Sequence, residues 1–86
     1  MKEFKDLEFK ELPDMSGIYS RTMFENGFGV SVICHKYSYG GKDGLYELAV
    51  LDTEGEITYD TPITDDVIGF LTEEGVTQLI TEIQLL

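Results

Sequence analysis

The pair Asn26-Gly27 constrains this chain more than any other feature. Asn-Gly suits a type I′ turn, whose two central positions both need positive φ. After it, Phe28, Val30, Val32 and Cys34 alternate with Gly29, Ser31, Ile33 and His35. That is the period of a strand, and it is rich in β-branched residues. GIYSRTMFENGFGVSVICHKY therefore reads as a β-hairpin. SYGGKDG follows as a Gly-rich connection, with Asp43-Gly44 as turn chemistry. LYELAVLD is apolar on both parities apart from Glu47, which marks a central strand. TEGE turns the chain, ITYD is a short further strand, and Pro62 stops it. Before the hairpin, DLEFKEL alternates weakly up to Pro13 and reads as a short strand or arm.

Toward the C-terminus one start signal occurs twice. Thr64 and Thr72 are both good N-cap residues. Each precedes two acids, Asp65-Asp66 and Glu73-Glu74, in the first turn, where the helix dipole favours negative charge. The pairs Ile63 with Ile68 and Leu71 with Val76 have the spacing of a hydrophobic staple. The expectation is a short helical turn near 65–70 and a longer helix near 73–84. The longer helix places Val76, Leu79, Ile80 and Ile83 on one stripe. The fold class is then α+β: an antiparallel meander of three to four strands, with a short helical turn and a C-terminal helix packed on one face.

Eighty-six residues make one domain spanning 1–86,. A chain of this size buries about 60–65% of its unfolded surface, so the core is thin and the protein is expected as a monomer or homodimer. No apolar run approaches the roughly 20 residues of a membrane span. The first residues, MKEFKDLEFKELPD, alternate charge and lack the apolar core of a signal peptide. One cysteine allows no intrachain disulfide,. These features together point to a soluble protein of a reducing cytoplasm.

Charge is distributed unevenly. All six basic residues (Lys2, Lys5, Lys10, Arg21, Lys36, Lys42) lie in the first 42 positions, where six acids balance them. Residues 43–86 hold eleven acids and no base, which is the whole net charge of −11. Such a surface repels nucleic acid, whose binding needs Lys and Arg on phosphates. It attracts basic partners, and it also simply favours solubility.

Motifs for chemistry fall short. DTEGEITYDTPI begins like an EF-hand loop with Asp52, Glu54 and Glu56, but Gly55 comes too early and Ile63 stands where the closing Glu belongs. Asp60, Asp65 and Asp66 could gather at one loop around Mg²⁺ or Ca²⁺. Zinc would have one Cys and one His to work with. Cys34 and His35 are adjacent, so in a strand they point to opposite faces and cannot pair. Cys34 shares a face with Val30 and Val32, and His35 reads as a polar edge residue. GVSVI lacks the second Gly of a nucleophile elbow. GGKDG lacks the Ser/Thr and following helix of a Walker loop. Tyr37, Tyr39 and Tyr46 flank that loop. Tyrosines can stack on bases, but the basic groove for that is missing, and they are also common at protein interfaces.

Three blocks, NGFGVSVICHKYSYGG, GLYELAVLD and YDTPITDDVIGFLTEE, together resemble a group of small, mostly uncharacterised proteins encoded by tailed bacteriophages. The shared patterns are a G-[YF]-x-V-S-V-[IV] strand, a Gly-containing loop, an E-[LI]-A-V-L strand and a T-P-[IV]-T-D-D-V-[IV] turn, over roughly residues 26–75. The resemblance implies a phage protein acting in a bacterial cytoplasm, and carries over no catalytic or ligand residue.

The leading expectation is a non-enzymatic accessory protein that binds and modulates a host protein, itself basic or nucleic-acid-binding. Its acidic half would serve as the recognition surface, with mimicry of nucleic-acid phosphates as one form. No cofactor, membrane or direct nucleic-acid contact is expected. The candidate partner-binding residues are Asp60, Asp65, Asp66, Glu73, Glu74, Tyr37 and Tyr39. One alternative is a structural or assembly protein that self-associates. A more remote one is a metal-dependent hydrolase built on Asp60, Asp65 and Asp66.

Overall fold

The computed structural model describes residues 1–86. Six antiparallel strands and one helix follow in order: β1 (Lys10–Leu12), β2 (Gly17–Met23), β3 (Gly29–Cys34), β4 (Tyr46–Leu51), β5 (Ile57–Thr58), β6 (Ile68–Leu71) and α1 (Glu73–Gln84). The class is α+β as expected, with six strands rather than three to four. The extra strands are the N-terminal arm, which pairs with β2, and the segment read as a short helix, which pairs with β4. The sheet runs β1-β2-β3-β4, and β5 and β6 share the far edge of β4.

The alternation after Gly27 sets the core. Val30 and Val32 pair with Val50 and Leu48, so all four side chains share one face. α1 lays Val76, Ile80 and Ile83 on that face, and all seven residues are fully buried. Each such side chain contributes about 1.5–3 kcal/mol on leaving water. Leu79 packs at the margin of the same cluster. Thr72 caps α1 as expected: its hydroxyl accepts the Gly75 N–H at 3.1 Å, with Glu73 and Glu74 in the first turn. Leu71 and Val76 both join the core, as a staple requires.

The N-terminal arm straps the helix to the sheet. The Lys2 N–H donates to Gln84 Oε1, and Gln84 Nε2 donates back to the Lys2 carbonyl, both at 2.9 Å. The Phe4 N–H donates to Thr77 Oγ1 at 2.9 Å. Phe4, Phe9 and Tyr46 close the end of the core as an aromatic trio, with ring centroids 5.0–5.9 Å apart.

Two local expectations are corrected. The hairpin loop is not type I′: Gly27 has φ +94°, but Asn26 is not among the residues of positive φ. The Phe24 N–H donates to the Phe28 carbonyl and the Gly27 N–H to the Phe24 carbonyl, which is a three-residue loop closed by a G1 bulge,. Asn26 is needed elsewhere. Its Nδ2 donates to the Ile83 carbonyl at 2.8 Å, so the hairpin loop supplies a partner to one of the orphan carbonyls at the end of α1,.

The second correction is at 65–70, where there is no helical turn. Thr64 Oγ1 accepts the Asp66 N–H at 2.9 Å and donates to the Asp66 carbonyl, and Asp66 Oδ1 accepts the Val67 N–H at 2.7 Å. These short-range bonds close turns that compete with a helix. The space before Thr72 is also too short to repay helix nucleation, and Gly69 interrupts it. Ile68 instead pairs with Leu48, and Leu71 with Tyr46.

Candidate functional site

β5 and β6 are two parts of one interrupted edge strand. Thr58 stands opposite Val50 and Ile68 opposite Leu48, so nine residues, 59–67, stand where the ladder has a single position, that opposite Ala49. The excursion is a compact loop with its ends close together, a type that is frequently functional. Its own side chains hold it. Thr58 and Thr61 hydroxyls accept the N–H groups of Asp60 and Ile63, and the Thr64 and Asp66 bonds follow. Ile63 anchors it against the core. Tyr59, Asp60, Asp65 and Asp66 are left exposed on the outside.

At the other end of β6 the ladder slips. The pairs Leu48–Ile68 and Tyr46–Leu71 are out of register by one residue. Phe70 absorbs the slip at φ +56°, in the left-handed region. A bulky residue is a genuine outlier there. The bulge turns the Phe70 N–H away from β4, and it donates to the Tyr39 carbonyl at 3.1 Å. The loop 35–44 is thereby bonded to the sheet edge. A second bond secures it: the Tyr39 N–H donates to Glu47 Oε1 at 2.9 Å. The approach is close enough that a Cβ on Gly69 would lie 2.4 Å from Tyr39 Cβ, and one on Gly40 2.9 Å from Phe70 Cα.

The outcome is a patch of three exposed aromatics on two segments bonded to each other. Tyr37, Tyr39 and Phe70 are 71, 59 and 63% exposed. Phe70 and Tyr37 border a shallow concavity of about 390 Å³ that also takes in Lys36, Lys42 and Asp43. The Lys36 ammonium stands 5.2 Å from the centre of the Tyr37 ring, within cation–π reach,.

The seven residues singled out from sequence fall into three places. Tyr37 and Tyr39 come together with Phe70. Asp60, Asp65 and Asp66 share the 59–67 loop. Glu73 and Glu74 start α1 and border a separate hollow with Glu3, Phe4 and Lys5. The sequence reading missed Phe70. Its only signal was an aromatic residue directly after Gly69, in a segment expected as a short helical turn.

The side chains of Cys34 and His35 each meet a backbone group of the 35–44 loop. His35 Nδ1 accepts the Tyr37 N–H at 3.1 Å, and Cys34 Sγ lies 3.8 Å from the Gly41 carbonyl, so the two side chains serve different parts of one loop. No three His, Cys, Asp or Glu side chains stand close enough to hold a metal ion. Asp60, Asp65 and Asp66 therefore do not form a ligand set, and none of them lines any of the four main concavities of the surface. A third hollow lies between the hairpin and Gln84. Burial, then the Glu73 carboxylate, then Cys34, push the Tyr46 phenol above its ordinary value. Tyr46 is a member of the core margin and not of the exposed patch.

Fold and surface together define a small α+β domain with one helix on a six-stranded sheet and an aromatic patch at its β6 edge. No helix is long and apolar enough to cross a membrane. Comparison with family models, curated proteins and solved structures found no match for the chain.

Proposed function

We propose that this is a protein-binding accessory protein that works without chemistry of its own, and that Tyr37, Tyr39 and Phe70 form its contact surface. The single observation that carries this is Phe70. A bulky aromatic in the left-handed region costs about 1–2 kcal/mol, and its ring stays mostly in water. Nothing in the free fold repays that cost through burial. Local strain of this kind clusters at binding and switch sites, and exposed aromatics are the residues enriched as interface anchors.

The acidic loop has a second role in this reading. Asp60, Asp65 and Asp66 lie a few residues before Phe70 and present negative charge to an approaching basic surface, which raises the association rate more than the final affinity. The phage resemblance supports a bacterial host protein as the partner and the cytoplasm as the compartment.

The test is chemical cross-linking of tagged protein in bacterial lysate, washed at low and high salt, followed by mass spectrometry. One comparison is Tyr37→Ala with Tyr39→Ala, and the other is Asp60→Asn with Asp65→Asn and Asp66→Asn. One protein cross-linked near residues 37–42, lost with the tyrosine variant and captured more slowly with the asparagine variant, is the expected result. Equal capture by wild type and the tyrosine variant would refute the reading.

A further inference from the structure

The chain's only asparagine stands directly before a glycine, and the fold uses both. Gly27 closes the hairpin loop at φ +94°, a conformation that any side chain would strain,. Asn26 ties that loop to the end of α1. Its Nδ2 donates to the main-chain oxygens of Ile83 at 2.8 Å and Leu86 at 3.4 Å, and its Oδ1 accepts the Phe28 N–H at 3.1 Å. Asn26 is nevertheless exposed, and Gly27 is only half-buried.

Asparagine is thermolabile, and most of all before glycine, where no Cβ shields the next peptide nitrogen. The Gly27 nitrogen gives up its proton and attacks Asn26 Cγ. A C–N bond forms, the Cγ–Nδ2 bond breaks, and Nδ2 takes up a proton and leaves as ammonia. Water then opens the cyclic imide. Attack at Cγ yields aspartate. Attack at the main-chain carbonyl carbon of residue 26 yields isoaspartate, in which the chain runs through the former side chain. The net change is one water consumed and one ammonia released.

The fold holds each reacting group. The leaving nitrogen is bonded to α1, Oδ1 to Phe28, and the Gly27 N–H to the Phe24 carbonyl at 3.0 Å. Closure therefore waits until the loop and the last turn of α1 part. That turn is the weak side of the latch: Leu85, just beyond it, is 69% exposed, and helix ends open at far less cost than the whole molecule. A product carboxylate has no hydrogen to donate. It would face two main-chain oxygens at the negative end of the helix dipole, so the latch does not close again. Isoaspartate also adds a backbone carbon to a loop whose length is fixed by the bond between Phe24 and Phe28.

We propose that Asn26-Gly27 is a self-modification site gated by the last turn of α1, and that its conversion releases the helix from the hairpin irreversibly. The lifetime of the intact fold is then set by how often the end of α1 opens. The site shares no residue with the surface formed by Tyr37, Tyr39 and Phe70 and does not depend on that reading.

The experiment incubates the full chain in mildly alkaline heavy-oxygen water at body temperature, in buffer and in urea. The tryptic peptide Thr22–Lys36, which contains the site, is followed by chromatography and mass spectrometry. It should gain one heavy oxygen atom and split into aspartate and isoaspartate forms. The reaction should run about tenfold or more slower in buffer than in urea. Gln84→Ala removes the strap's bonds at the end of α1 and none of Asn26's. It should speed the reaction in buffer and leave the reaction in urea unchanged. Converted chain, separated on an anion exchanger by its added charge, should exchange the Ile83 and Gln84 amides about tenfold faster than intact chain. Three results would each overturn the proposal: no label in the native protein after several weeks, conversion as fast in buffer as in urea, or a converted chain with unchanged exchange at the end of α1.

Discussion

Phe70 and Asn26 show how a residue's local preference yields to what its neighbours require. Asn26 was legible as a turn former, and the turn is there. Its backbone conformation was not legible, because the loop is closed by the pairing of Phe24 with Phe28 and the side chain is claimed by α1. That end of the helix is 57 residues away in sequence. Asn26→Ala should lower stability by about 1 kcal/mol, the usual net worth of such a bond, measured by urea unfolding. Loss of the same size in Asn26→Asp would show that the donated N–H, and not the turn, is what matters. Gly40 is the partner of Phe70 in the opposite sense. It sits at φ +88°, and an added Cβ would press on Phe70 Cα at 2.9 Å. Gly40→Ala should cost about 1–2 kcal/mol for the left-handed conformation alone, and should move the aromatic resonances of Phe70 and the methyl resonances of Leu45 in an NMR spectrum.

At the scale of elements, the two threonine signals separate what sequence can and cannot carry. Thr72 precedes twelve helical residues whose apolar stripe meets the sheet, and it caps them. Thr64 has the same neighbours in sequence but closes a turn, since β4 offers Ile68 and Leu71 an edge to pair with. That edge is a tertiary fact, invisible to local pattern. Thr72→Ala should cost about 1 kcal/mol of stability. Thr64→Ala should leave the helical signal in circular dichroism unchanged and instead loosen exchange protection at Asp66. Tyr46 ties β4 to the start of α1. Its phenol is raised by burial first and by Glu73 second, so the folded state holds the proton more tightly than the unfolded chain. The stabilisation is complete below the ordinary tyrosine value of about 10 and is lost as pH rises through the higher folded value. Ultraviolet titration of the native protein should show Tyr46 ionising above the ordinary tyrosine value.

On the scale of the whole molecule, the strongest compositional signal, charge, survives as a surface property. The alternation, the central β4 and the C-terminal helix were all readable, because each follows from a periodicity that only one face of a sheet or helix can bury. The β1 and β6 pairings were not, because short strands with little alternation are decided by their neighbours. The site was half legible: Tyr37 and Tyr39 stood out, but their grouping with Phe70 depends on a bulge that no local rule signals. With a net charge of −11, self-repulsion should make the fold more stable as salt screens it. Raising ionic strength from about 0.01 to 0.15 M, which shortens the screening length from about 30 to 8 Å, should raise Tm.

The most direct measurement is on Phe70→Gly, followed by calorimetry and by the cross-linking capture on the same sample. Glycine relieves the left-handed backbone and removes the exposed ring. The expected result is a protein more stable by about 1 kcal/mol that no longer captures the partner retained by wild type. A variant that is less stable, or that captures the partner as well as wild type does, would contradict it.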